Sequence, residues 1–161
     1  MANTQSMCTS FMGELMTATH NFGVAPIRAA TTADTFKAAL YLATATVNAS
    51  TTVYSSTGEV TSANYTAGGV AVTNATAPIA TNTSSTAGTA YWTPSASIVY
   101  GSSGSPVTFS SFDCVLIYNS TQSNKSVSVH TFTAQTVTSG TFTLTMPSNT
   151  TSTALLRLAT T

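Results

Sequence analysis

The sequence predicts an all-β protein, an antiparallel β-sandwich of jelly-roll-like type with a short N-terminal helix or arm. Three observations predict it. Apolar residues alternate with hydroxyl-bearing ones at a period of two through much of the chain, as in strands that keep one face wet. About eight such runs recur at spacings of roughly ten residues, separated by Gly, Pro, Asn and Ser, which is the pattern of sandwiches and barrels. Thr and Ser supply 35 and 22 of the 161 residues. Thr is β-branched and suits a pleated surface facing water.

Charge is the outlying quantity. Four acids and four bases make up 5% of the chain, against about a quarter in an average globular domain. Apolar residues at 42% are enough for a core, and a disordered chain would combine low hydrophobicity with high net charge. Arg28, Lys37, Lys125 and Arg157 are scattered and the formal net charge is zero, so no nucleic acid partner is expected. Near-neutrality also removes the usual colloidal barrier to association, which suits a protein whose final state is an assembly. No apolar run reaches the roughly 18 residues of a membrane span, and Met1 to Ser6 lacks a charged segment leading into an apolar one, so neither membrane insertion nor a signal peptide is expected. Cys8 and Cys114 match no metal or redox spacing and are read as reduced thiols, Cys114 within a strand.

Residues 1–33 form the expected arm and 34–161 the expected sandwich domain. Within the arm, Met7, Phe11 and Leu15 recur every fourth residue and would line one stripe of a helix over residues 5–18. Gly13 weakens that helix by roughly 1 kcal/mol relative to Ala, so the stripe needs a surface to pack on. These three residues are the candidate subunit-docking contacts. From Asp34 the period is two, with Phe36, Ala38, Leu40 and Leu42 on one face of a half-buried strand. A short strand is expected at 70–73 and a long surface loop at 74–88, where no periodicity is visible. Short strands follow at 90–92, 97–100 and 107–109. Phe112 to Tyr118 is apolar at nearly every position, as expected of a strand covered on both faces. A hairpin-type loop at 119–125 leads to alternation from Ser126 to Phe132, a turn at Ser139-Gly140, a strand through Phe142, Leu144 and Met146, and a last strand at 154–159.

The supply of acid–base groups is Glu14, Asp34, Glu59, Asp113, His20 and His130. Glu59 is expected in an exposed loop, Asp34 as a turn cap, Asp113 as an edge or paired acid, and His130 facing solvent or an interface. No nucleophile elbow, phosphate loop or metal-binding pair of histidines occurs. No catalytic, cofactor-binding or metal residues are therefore expected. Tyr91 and Trp92 are the candidate surface or host contact, since aromatics on a charge-poor β surface can receive sugars; buried core or a subunit contact is the more frequent explanation for such residues, for them as for Tyr54, Tyr65 and Tyr100.

Several segments, in order, carry a resemblance. They are Cys8-Thr9-Ser10-Phe11 to Glu14-Leu15, His20-Asn21-Phe22, Asp34-Thr35-Phe36-Lys37-Ala38-Ala39-Leu40-Tyr41 and Thr51-Thr52-Val53-Tyr54. Gly58-Glu59-Val60, Tyr65 to Gly69, Leu116 to Thr121, Asn124-Lys125, Gly140 to Thr143 and Ala154 to Leu158 follow. Together they resemble a family of small virion structural proteins of tailed bacteriophages. Cys114-Val115 stand where that pattern has Gly-Ala, and 74–105 match weakly. The resemblance implies a particle component without catalytic residues, found in the virion and assembled in the host cytoplasm. The first expectation is a capsid decoration, or cement, protein that binds the major capsid protein or other virion proteins as a homo-oligomer, with a trimer favoured. A tail, neck or head-fibre protein contacting the host surface is the second, and a small hydrolase the third.

Overall fold

The computed structural model of the chain describes residues 16–17, 34–73, 78–82 and 84–160. Nine strands occur among them, every pairing is antiparallel, and the fold is all-β. The expected helix falls almost wholly outside the described residues, and with it Met7, Phe11 and Leu15. The chain divides into two compact units, one containing 34–73 and 96–145, the other 74–95 and 146–161 together with 1–33. The stretch 34–161 thus contributes to both.

In the first unit, β1 (Phe36–Leu42), β2 (Val70–Ala71), β6 (Val107–Asn119) and β7 (Lys125–Gly140) form one sheet in the order β2-β1-β6-β7. β6 is central and buried on both faces from Cys114 to Tyr118, as its unbroken apolar run predicts. On one face Ala39, Tyr41, Cys114, Leu116 and Tyr118 cluster, with Ala45, Val47, Tyr54 and Val129 packed on them. On the other face Ala38 and Leu40 lie opposite Ile117 and Val115, all fully buried. The expectation of one buried face for β1 is therefore corrected. β1 sits inside the sheet and is covered on both sides, and small Ala at 38 and 39 hides this in the sequence, because Ala reads as neither clearly inward nor outward.

A second layer packs on the Ala38 face. β5 (Ile98–Tyr100) pairs with β8 (Phe142–Leu144) as a two-stranded ribbon. Phe142 meets Phe112 edge-on at 4.9 Å between centroids, and Tyr100 donates to the carbonyl of Ala38 at 3.1 Å. Phe109 and Phe132 complete the aromatic seam. Each such ring buried from water contributes roughly 1.5–3 kcal/mol, with up to about 1.5 kcal/mol more for edge-to-face pairs. The arrangement is sandwich-like, with one broad layer and one narrow one.

The hairpin at 119–125 forms where expected, with Ser123 and Asn124 at φ of 54° and 58°. Asp34 accepts from Asn119 Nδ2 at 2.6 Å and from Gln122 Nε2 at 3.2 Å, so it holds that turn across the sheet end. β7 runs on to Gly140 instead of stopping near Phe132, and four register shifts against β6 absorb its irregular pattern.

The second unit is built on β3 (Ile79–Asn82), β4 (Gly88–Trp92) and β9 (Leu156–Ala159) in the order β3-β4-β9. β3 corrects the expectation of a continuous loop over 74–88. It is an exposed edge strand whose one large apolar side chain is Ile79, so it shows no periodicity to read. Thr93 Oγ1 accepts from the amide of Leu155 at 3.0 Å and ties the approach to β9 to the end of β4.

Candidate interaction surface

Glu59 overturns the expectation of an exposed loop acid. It is 6% exposed, and its position follows from the backbone. Beyond the two residues of β2, the edge of β1 is taken up by 58–60: Leu42 donates to the carbonyl of Gly58 at 2.9 Å, and Val60 donates to that of Leu40 at 3.0 Å. Glu59 is thereby set opposite Tyr41 and points to the same face. Its carboxylate accepts from Tyr54 Oη at 2.6 Å, Tyr65 Oη at 2.5 Å and the amide of Gly68 at 2.8 Å. Two further tyrosines close the ring by bonding backbone carbonyls, Tyr41 to Ser55 at 2.6 Å and Tyr118 to Gly68 at 2.7 Å.

The electrostatics follow from enclosure. Burial pushes the Tyr41 hydroxyl up to about 12, with the nearby Glu59 charge adding to it. Burial first, and then the hydrogen bond to Glu59, holds Tyr54 and Tyr65 well above the ordinary tyrosine value. Tyr100 and Tyr118 are raised by burial and by Glu59 as well. These hydroxyls stay protonated and act as fixed donors. The cluster fastens 53–69 to the sheet, and a carboxylate with three donors is better explained as a rivet than as a base. Sequence reading missed it because Tyr54, Glu59 and Tyr65 are separated by turns; the signal available was an acid midway between two tyrosines in a chain with so few acids.

The remaining candidates disperse. Asp113 is half-buried on β6, next to Cys114, whose thiol burial pushes up to about 11, the Asp113 charge adding to the effect. His130 lies opposite Val115 and is half-buried rather than facing solvent; burial lowers its pKa, and a ring nitrogen bonds Ser128 Oγ at 2.9 Å. Tyr91 and Trp92 are neighbours on β4 and point to opposite faces, Tyr91 half-buried and Trp92 4% exposed. Trp92 is thus an interior side chain, and only Tyr91 of the pair reaches the surface. No group of three or more His, Cys, Asp or Glu side chains able to hold a metal ion occurs among the described residues, and no helix there is long and apolar enough to cross a membrane.

The surface with the clearest capacity for interaction is the outer edge of β7. At its start this edge is covered: Ser126 donates to Thr52 at 3.0 Å and Tyr54 to Asn124 at 2.9 Å. From Val127 to Gly140 no strand pairs with it among the described residues. Native edges are commonly blunted by Lys, Pro or inward charges. This one has no Pro, and after Lys125 its only ionisable side chain is His130. Thr131 and Thr133 are exposed, and Val127 is 39% exposed.

The chain matches no family model, no curated protein and no solved structure.

Proposed function

We propose that this chain is a non-enzymatic structural protein of a phage particle, a decoration (cement) protein that sits on the outer capsid surface as a homo-oligomer. The nearly charge-free edge of β7, left unpaired from Val127 to Gly140 among the described residues, carries the assembly part of this reading. A row of unpaired backbone donors and acceptors on a neutral protein favours strand addition by another chain. Two copies can pair β7 with β7 about a two-fold axis, or a ring can form by setting β7 against the short β2 edge of the next copy. The riveted 53–69 segment and the aromatic seam supply a rigid body with little to reorganise on binding. The placement on a virion rests on the resemblance of the ordered segments from Cys8 to Leu158. Quantitative protein analysis of purified particles tests it. Copies comparable in number to the major capsid protein support decoration, a small fraction of that number supports the tail, neck or head-fibre reading, and absence from the particle rejects both.

A further inference from the structure

The outward face of the β3-β4-β9 sheet carries a feature that the assembly role does not use. Ile79, Tyr91 and Arg157 lie directly opposite one another across the three strands, so their side chains leave the same face in one row. The adjacent row is Thr81, Thr89 and Ala159. Beside them opens a hollow of about 480 Å³ lined by Thr89, Thr151, Leu155, Leu156, Arg157 and Ala159, within the range of small-ligand sites. Arg157 Nη1 donates to the carbonyl of Ser152 at 2.7 Å, which holds the guanidinium against the 150–153 turn. That bond uses one of its five N–H donors. Arg157 is the one Lys, Arg, Asp or Glu among the described residues of its unit.

We infer that this hollow is a binding site for a carboxylate-bearing sugar, such as a uronic acid residue of a surface glycan. A planar guanidinium fork matches a carboxylate with two parallel hydrogen bonds. A single cation balances the single charge of a uronate and leaves a dianionic phosphate half-compensated. The Thr89 and Thr151 hydroxyls give and accept hydrogen bonds as sugar hydroxyls require, and the Leu155, Leu156 and Ala159 carbons suit the apolar edge of a pyranose ring. Tyr91, opposite Arg157, extends the face on which a following sugar unit can stack.

Titration of the full chain with methyl β-glucuronide, methyl β-glucoside, acetate and an N-acetylated dipeptide, followed by calorimetry and ligand-observed NMR, tests the inference. The glucuronide binds with a dissociation constant on the order of millimolar, and the neutral glucoside roughly tenfold more weakly. Arg157→Gln removes the preference for the acid. Arg157→Lys keeps the charge but loses the fork, and falls between the two. Both replacements are at an exposed side chain, and unchanged thermal melts verify that the fold is retained. Acetate or the dipeptide binding as tightly as the glucuronide overturns the sugar assignment. Equal binding of glucuronide and glucoside, no binding of either, or an unaffected Arg157→Gln variant overturns the site. The site is independent of the assembly reading, since none of these outcomes alters the copy number on particles.

Discussion

Tyr54 donates its hydroxyl to Oε2 of Glu59 across 2.6 Å while its ring stacks on Tyr118 at 4.7 Å between centroids, 17° from parallel. One side chain thereby joins a loop acid to the central strand of the sheet. With Tyr65 and the amide of Gly68 completing the donor set, three residues of 53–69 converge on one carboxylate, while Tyr41 and Tyr118 fasten the carbonyls of Ser55 and Gly68 separately.

Replacing that carboxylate should therefore be costly. Glu59→Leu leaves two tyrosyl hydroxyls and one amide without their acceptor, and unsatisfied buried donors cost about 1–3 kcal/mol each before relaxation. A net loss of ~3 kcal/mol is expected, read as a lower denaturant midpoint with an unchanged slope. Glu59→Gln keeps the shape and one acceptor oxygen, and should lose about half as much. A Glu59→Leu variant as stable as the parent would show that the loop is held by apolar packing alone.

Stability should also fall on both sides of neutrality, for opposite reasons. Tyr41 has a folded value of about 12 against an ordinary 10.0, and Tyr54, Tyr65, Tyr100 and Tyr118 are raised too. A raised value means that the folded state keeps protons the unfolded state releases. The stabilisation is complete below pH 10 and is lost as pH climbs from there through the folded values. Tyrosinate absorbance should appear together with unfolding, not before it. His130 is lowered from 6.5 by burial, so its contribution is present above that pH and lost as pH falls below it. His130→Gln should flatten the acid limb between neutrality and the onset of carboxylate protonation. Early, reversible tyrosinate formation in a folded chain would contradict the enclosure of the cluster.

The fold class was legible from period and composition because hydroxyl-rich alternation has few other solutions. Phe112 to Tyr118 announced a doubly covered strand for the same reason, since no polar residue interrupts it except Asp113. What escaped reading was long-range. Ala38 and Ala39 do not reveal that β1 is interior, because burial there is decided by what is laid over each face, the β5–β8 ribbon over Ala38 and the 53–69 segment over Ala39. β3 was invisible because an edge strand with one large apolar residue is specified by its neighbour, not by itself. Glu59 was misplaced because its three donors come from residues 54, 65 and 68, on separate turns. Of the two candidate contacts on β4, alternation sends Trp92 inward, the core alternative that its sequence also allows, and leaves only Tyr91 outside.

Two glycines should respond oppositely to alanine. Gly69 has φ of 75°, and a Cβ there would lie 1.9 Å from the carbonyl oxygen of Ala38, which is rigid strand backbone. Gly69→Ala must displace the edge where β2 meets β1, and a loss of more than ~3 kcal/mol or failure to fold is expected. Gly104 has no heavy atom within 4 Å of its would-be Cβ, so Gly104→Ala should be neutral or gain up to ~1 kcal/mol through a stiffer unfolded chain. Thermal melts of the two variants decide this, and a tolerated Gly69→Ala would mean that the 66–70 turn is looser than its geometry implies.

The β7 edge gives the most direct test of the assembly reading. Thr133 is exposed on the stretch of the strand that no other described strand pairs, so Thr133→Lys changes stability by no more than about 0.5 kcal/mol, as surface replacements generally do. Its effect should be on association. A lysine on each edge sets like charges near one another when two copies pair β7 with β7, and also brings an ammonium into a row that pairing must desolvate. Ser103→Lys is the matched control, because it adds the same charge to an otherwise neutral chain at an exposed turn that is not part of β7 and lies near its Gly140 end, not beside Thr133. Sedimentation velocity over a concentration series should show the parent and Ser103→Lys associating alike, and Thr133→Lys shifted to the monomer by roughly tenfold or more in dissociation constant. If both lysine variants weaken association equally, net charge and not the edge is responsible. If neither does, copies of this chain meet through a surface other than β7.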